Sequence, residues 1–172
     1  MCRGDVAMLQ AALLLTALSK ADVAFIVIGD MAAVAQGATY VTADLDLCYQ
    51  RHPQNYQRLS QALHPFNPRL RGAPADLPFV LDAATLRAGL NFTLMTDVGD
   101  VDLLGEVTGL GPYEAVKAHA EEVELYEHRI WVLTLTGLIV SKQAAGRAKD
   151  LRLLPELQAL HMLREAPPEE GT

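Results

Sequence analysis

Residues 24–47 read Ala-Phe-Ile-Val-Ile-Gly-Asp-Met-Ala-Ala-Val-Ala-Gln-Gly-Ala-Thr-Tyr-Val-Thr-Ala-Asp-Leu-Asp-Leu, and their punctuation decides the fold. Ala24 to Ile28 is a short continuous apolar run with β-branched residues, the pattern of a buried strand. Gly29 ends it, and the small residues from Asp30 to Gly37 predict a short helix stopped by Gly37. Thr39 to Thr42 reads as extended. Asp44 to Tyr49 alternates polar and apolar, a strand with one wet face. Side chains two apart on a strand share a face, so Asp44 and Asp46 stand together while Leu45 and Leu47 point into the core. Two adjacent carboxylates repel unless a cation bridges them or one is protonated. A hard divalent ion such as Mg²⁺ favours such oxygen ligands. The competing account is an acidic, solvated strand face.

Outward from this stretch the chain continues in the same α/β style. Residues 6–20 are Ala- and Leu-rich and predict a buried first helix. The apolar run from Val6 to Leu18 is too short to span a bilayer, and no cleavage site follows it. Pro53 opens a helix to about His64. Residues 65–78 carry Pro65, Pro68, Pro74 and Pro78, and predict a loop without regular structure. Arg69 and Arg71 lie in it and are candidates to touch an acceptor. Leu90–Thr96 and Val101–Leu104 predict strands around an Asp97-Val98-Gly99 turn. Gly105 to Gly111 reads as irregular, and Tyr113 to Ala120 as helical. Val123–Tyr126 and Ile130–Leu133 are short strands. A helix from Thr136 to Ala145, capped by Thr134 or Thr136, ends at Gly146, and Arg147 to Leu163 forms a last helix. No repeat or linker divides the chain. The expectation is one domain over residues 1–172, α/β (α+β), with a mixed sheet flanked by helices, a core over about 20–133 and a helical C-terminal segment over about 134–165.

Two further signals bear on chemistry. Asp100-x-Asp102 repeats the acidic alternation on a later strand, and Asp102 supplies a third carboxylate if that strand lies beside the first pair. Asp100 is expected to cap its turn or face water. Upstream, a strand–Gly–helix junction frees backbone N–H groups at a helix N-terminus, which suits an anion; a plain tight turn is the alternative.

In combination, Gly29 with Asp30, then Asp44 and Asp46, then Asp102 resemble the nucleotidyltransferase superfamily typified by DNA polymerase β. The segment Leu138 to Asp150, with Lys142 and the Lys149-Asp150 pair, is similar to small bacterial nucleotidyltransferases of the abortive-infection toxin type. The resemblance implies a mixed-sheet fold and a Mg²⁺ (or Mn²⁺) site at Asp44, Asp46 and Asp102. It further implies transfer of a nucleoside monophosphate from a nucleoside triphosphate to an acceptor, which could be an RNA end, a protein or a small molecule. Gly29, Asp30, Lys142, Arg147 and Lys149 would bind the nucleotide. A toxin role, an antitoxin partner and a cytoplasmic location come with the resemblance as well. Asp30 stands where the family carries a second Gly or Ser. It leaves open a second reading, a catalytically impaired nucleotide-binding or protein-interaction module; a third is a phosphohydrolase using the same carboxylates.

Composition narrows these choices. Fourteen Lys and Arg against 21 Asp and Glu give a net charge of −7, a field that repels long polyanions. Residues 100–127 are acidic apart from Lys117, whereas Arg129, Lys142, Arg147, Lys149 and Arg152 make residues 129–152 basic apart from Asp150. Acid on one side and cations on the other suit a metal-bound triphosphate. Cys2 and Cys48 form no CxxC pair, which argues against a disulfide framework or zinc site. His52, His64, His119, His128 and His161 show no ligand spacing. His52 is expected at the surface or the cleft rim, Trp131 in the core, and Tyr40 and Tyr49 in the core or rim, or stacked on a base.

Overall fold

A computed structural model describes residues 3–39, 42 and 44–166. Its centre is the strand–helix–strand unit quoted above. β1 (Phe25–Ile28) is buried along its whole length and runs into α2 (Gly29–Ala35) without a break. β2 (Asp44–Tyr49) returns antiparallel to β1, with Ile28 level with Asp46. Leu45, Leu47, Cys48 and Tyr49 are buried, whereas Asp44 is exposed and Asp46 half-buried. α3 (Pro53–Leu63) follows, and Tyr56 on it meets Tyr49 edge-on at 6.5 Å between ring centroids. Tyr49 is therefore core, and stacking on a base is excluded for it; Tyr40 lies outside the described residues.

The remaining strands complete a seven-stranded mixed sheet in the order β3-β4-β5-β2-β1-β9-β8. β4 (Asn91–Thr96) and β5 (Gly99–Leu104) form a hairpin, and β5 lies parallel to β2. β8 (Ala120–Leu125) and β9 (His128–Leu133) form a second hairpin, with β9 parallel to β1. β8 begins at Ala120, where the sequence predicted helix. α5 (Tyr113–Lys117) stops after one and a half turns because Ala120 to Leu125 gains a full ladder against β9. Trp131 packs against the core with the Lys117 ammonium 4.8 Å from its ring centre.

Three short features lie outside the helices and strands expected from the sequence. β3 (Arg69–Leu70) pairs with β4 inside the proline-rich stretch, between Pro68 and Pro74, where neither proline removes a needed donor. α4 (Ala83–Ala88) is capped by Asp82, which accepts from the Thr85 N–H. Residues 105–112 hold a small hairpin of β6 (Glu106–Val107) and β7 (Gly111–Pro112). The first helix, α1 (Arg3–Lys20), buries Ala11, Leu14, Leu15 and Leu18 but leaves Val6, Met8, Leu9 and Leu13 exposed, so it is buried on one face only. No helix among the described residues is long and apolar enough to cross a membrane.

α6 (Leu135–Ala145) begins at Thr134, whose hydroxyl accepts from the Gly137 N–H. Gly146 ends it in the left-handed region at φ 63°, where a side chain would be strained. α7 (Ala148–Glu165) then doubles back along α6. Gln36, just after α2, ties these layers together. Its amide donates to the Leu133 carbonyl and to Glu121, while its own oxygens accept from Arg164 on α7.

Asn55 plays the same part at the far end of β1 and β2. Its buried amide accepts from the Ala24 N–H at 2.7 Å and donates to the carbonyls of Ala24 and Gln50 at 3.0 and 2.8 Å. Asn55→Ala orphans these backbone groups and is expected to cost about 2–3 kcal/mol. A fall in the urea midpoint at unchanged slope would show it; a loss under about 0.5 kcal/mol would contradict the assignment.

Candidate active site

Parallel pairing of β2 and β5 brings the two acidic alternations side by side. Asp44 is level with Asp100, and Asp46 with Asp102. Asp44, Asp46 and Asp102 line one open cleft of about 780 Å³, including its solvent-filled mouth. Gly29 and Asp30 form its wall at the β1–α2 junction, and Lys142, Arg147 and Lys149 line it from α6 and α7. All eight site residues expected from the sequence thus meet in one place. Arg129 and Arg152 do not: Arg129 pairs with Glu122 on the sheet edge, and Arg152 is exposed away from the cleft. His52 sits at the start of α3, also outside it.

Gly29 is required by its surroundings. Its φ is 63°, and a Cβ built there would collide with the Asp46 carboxylate. The missing side chain lets β1 turn into α2 directly against Asp46, so the two features are one packing unit.

The electrostatics of the cleft are lopsided. Burial, then the charges of Asp102, Asp30 and Asp44, push the Asp46 carboxyl up to about 6, with Lys149 opposing. Asp102 is also raised, by burial first, against the pull of Arg71. That arginine is the main addition to the predicted site. Its Nη2 donates to Asp102 Oδ1 at 2.8 Å, and its Nε lies 3.1 Å from Asp100 Oδ2. Arg69 is likewise paired, with Asp97 at 2.9 Å. Both arginines of the proline-rich stretch therefore hold aspartates of the β4–β5 hairpin in this structure, where the sequence suggested acceptor contacts. Asp100 neither caps its turn nor simply faces water; it shares Arg71 with Asp102. Among the described residues no three His, Cys, Asp or Glu side chains stand as a ready-made metal ligand set.

Asp30 is accommodated by a chain of ion pairs. Lys142, 7% exposed, bonds Asp30 Oδ1 at 2.9 Å and lies 3.3 Å from Asp150 Oδ1. Arg147 Nε bonds Asp150 Oδ2 at 2.6 Å. Burial raises the Asp150 carboxyl, but the bonds from Arg147 and the charge of Lys142 outweigh it and hold the group below its usual range. Asp150 also sits in the first turn of α7, where the helix dipole favours an anion. Lys142 is thus engaged on both sides, and Lys149 makes no ion pair among the described residues. Thr108 and Ser141 add hydroxyls to the cleft lining. Only adjacency to Lys142 hinted at Ser141, and Thr108 lay in a stretch that read as irregular.

A solved structure from Thermotoga maritima, provisionally described as a nucleotidyltransferase, superposes on 96% of this chain and 97% of its own with a TM-score of 0.53 and 16% identity. The chain has a nucleotidyltransferase-like fold. No protein-family model and no curated protein matches the sequence.

The raised Asp46 has a stability consequence. The folded protein holds this proton more tightly than the unfolded chain, whose carboxyl stays near 3.8. Stability contributed by Asp46 is therefore fullest below about pH 4 and is lost as pH rises toward 6. Asp46→Asn removes the deficit. It is expected to stabilise the metal-free protein by about 2 kcal/mol at pH 8 and by little at pH 4. Thermal melts at the two pH values check this; an equal effect at both would contradict it.

Proposed function

We propose that this protein is a divalent-cation-dependent nucleotidyltransferase that moves a nucleoside monophosphate from a nucleoside triphosphate to a hydroxyl-bearing acceptor. The observation that carries the reading is the register of β2 and β5, which sets Asp44 and Asp46 beside Asp102 in a cleft walled by Lys149 and Arg147. The donor set fits Mg²⁺ or Mn²⁺: all oxygen, anionic, and set where burial and then the neighbouring carboxylates raise Asp46 to about 6. Asp44, Asp46 and Asp102 would hold the cation. When bound, it would neutralise the triphosphate and acidify the attacking hydroxyl.

The chain's own groups supply the rest. Lys149 and the exposed Arg147 guanidinium face the cleft as partners for phosphate oxygens. Gly29 keeps the wall free of a side chain, so a phosphate can approach the backbone beside Asp46. Lys142 compensates Asp30, which removes the electrostatic objection to an acid at this junction and supports catalysis over the impaired-module reading. Lys142 contributes to nucleotide binding chiefly through that compensation. Asp102 Oδ1 is bonded to Arg71, so Oδ2 is the oxygen available to a cation or to the acceptor proton. The acceptor is an RNA end, a protein or a small molecule; net charge favours the last two. A cytoplasmic toxin balanced by an antitoxin belongs to the same proposal and rests on the likeness of residues 138–150 alone.

Incubation with Mg²⁺, each α-labelled nucleoside triphosphate, and RNA, protein or small-molecule fractions tests the reading. Label transfer is expected, abolished by EDTA and reduced at least about 100-fold in Asp44→Asn and Asp46→Asn. Absence of transfer to every acceptor, with none gained in Asp30→Gly, would contradict it and favour a binding module. Release of free phosphate without acceptor labelling would point to hydrolysis.

A further inference from the structure

We propose that Arg71 sets the cation affinity of this cleft, acting as the resident countercharge against which a divalent ion must bind. The inference rests on the metal reading above and deepens it. Arg71 directly follows the edge strand β3, and its N–H donates to the Thr93 carbonyl at 3.0 Å, so its backbone continues the sheet edge. From there the side chain reaches across β4 to the acidic face of β5. Nη2 is shared between the Leu94 carbonyl at 3.1 Å and Asp102 Oδ1 at 2.8 Å. The side chain is 29% exposed, and its guanidinium contacts two of the carboxylates that β2 and β5 set side by side.

Its hold is uneven. Nε is buried and 3.1 Å from Asp100 Oδ2, yet it makes no well-directed hydrogen bond. Attraction to Asp100 is therefore one of charge more than of aligned bonding, whereas the bond to Asp102 is direct. A guanidinium stays charged at any physiological pH, so this countercharge is permanent. It lowers the negative potential that a cation meets at Asp102, and it occupies one of that residue's two oxygens. Arg71 thus trades metal affinity for stability of the metal-free fold. It keeps adjacent carboxylates from repelling one another, and it leaves the cleft a weaker cation site than its number of aspartates suggests.

The test uses the full-length protein with Mn²⁺ alone as probe, free Mn²⁺ being followed by electron paramagnetic resonance and stability by thermal melts. Arg71→Gln is expected to bind Mn²⁺ about ten-fold more tightly than wild type, to melt lower without metal, and to regain more on Mn²⁺ addition. Arg71→Lys keeps the charge and is expected to stay within about three-fold of wild type. It also covers the case in which the Gln variant does not fold. Equal affinity in wild type and Arg71→Gln, with binding lost in Asp46→Asn, would overturn the role of Arg71 while leaving the metal reading intact. So would weaker binding in Arg71→Gln, or a ten-fold tightening in Arg71→Lys. Absence of Asp46-dependent Mn²⁺ binding in all proteins would overturn both.

Discussion

Parallel pairing of β2 with β5 obliges like charges to share one sheet face. Asp46 lies level with Asp102 and Asp44 with Asp100, and Asp30 adds its charge from the neighbouring helix. At spacings of this order, carboxylates removed from bulk water repel by several kcal/mol unless countercharges are built in. Much of the surrounding structure answers that demand. Arg71 reaches in from the edge strand, Lys149 faces the cleft from α7, and Lys142 is buried against Asp30. The local backbone answers it too, since only a glycine at position 29 leaves room for the Asp46 carboxylate against the β1–α2 turn.

The C-terminal helices serve this electrostatic frame rather than merely covering the core. Asp30, Lys142, Asp150 and Arg147 form a continuous chain of ion pairs that joins α2, α6 and α7. Breaking it by removing Lys142 would leave Asp30 without its partner and the buried Asp150 with Arg147 alone, which costs more than the pair contributes when intact. Gly146 makes the chain possible by turning the backbone so that residues 142, 147 and 150 converge. The same turn brings Lys149 toward the carboxylates.

Much of the fold was legible because its signals were local, whereas the eight candidate site residues were proposed from those signals together with a family resemblance. An apolar run closed by Gly29 identified β1, polar–apolar alternation identified β2, and the i, i+2 spacing of aspartates specified a shared face whatever the strand order. That β5 lies beside β2 was a conditional inference; the register is a tertiary fact. Short elements were lost for a different reason. β3, β6 and β7 are two residues each, below any periodic signal, and take their identity from a partner strand. The role of Arg71 was hidden in the same way: a lone arginine among prolines carries no sign that it will meet Asp100 and Asp102, 29 and 31 residues further on. Lys142 was legible as a cation near the site, but its burial between two acids depends on how α6 and α7 pack. The likeness to a solved structure at 16% identity supports the architecture and leaves the chemistry to these residues.

The most direct measurement is a crystal structure of the protein with Mn²⁺ and a non-hydrolysable nucleoside triphosphate, using anomalous scattering to locate the metal. The account predicts a manganese peak within coordinating distance of Asp44 and Asp46, with Asp102 alongside and phosphate oxygens directed at Lys149 and Arg147. A nucleotide bound elsewhere, such as the separate cleft beside Tyr113 and Trp131, or a manganese ion that avoids Asp46, would contradict it.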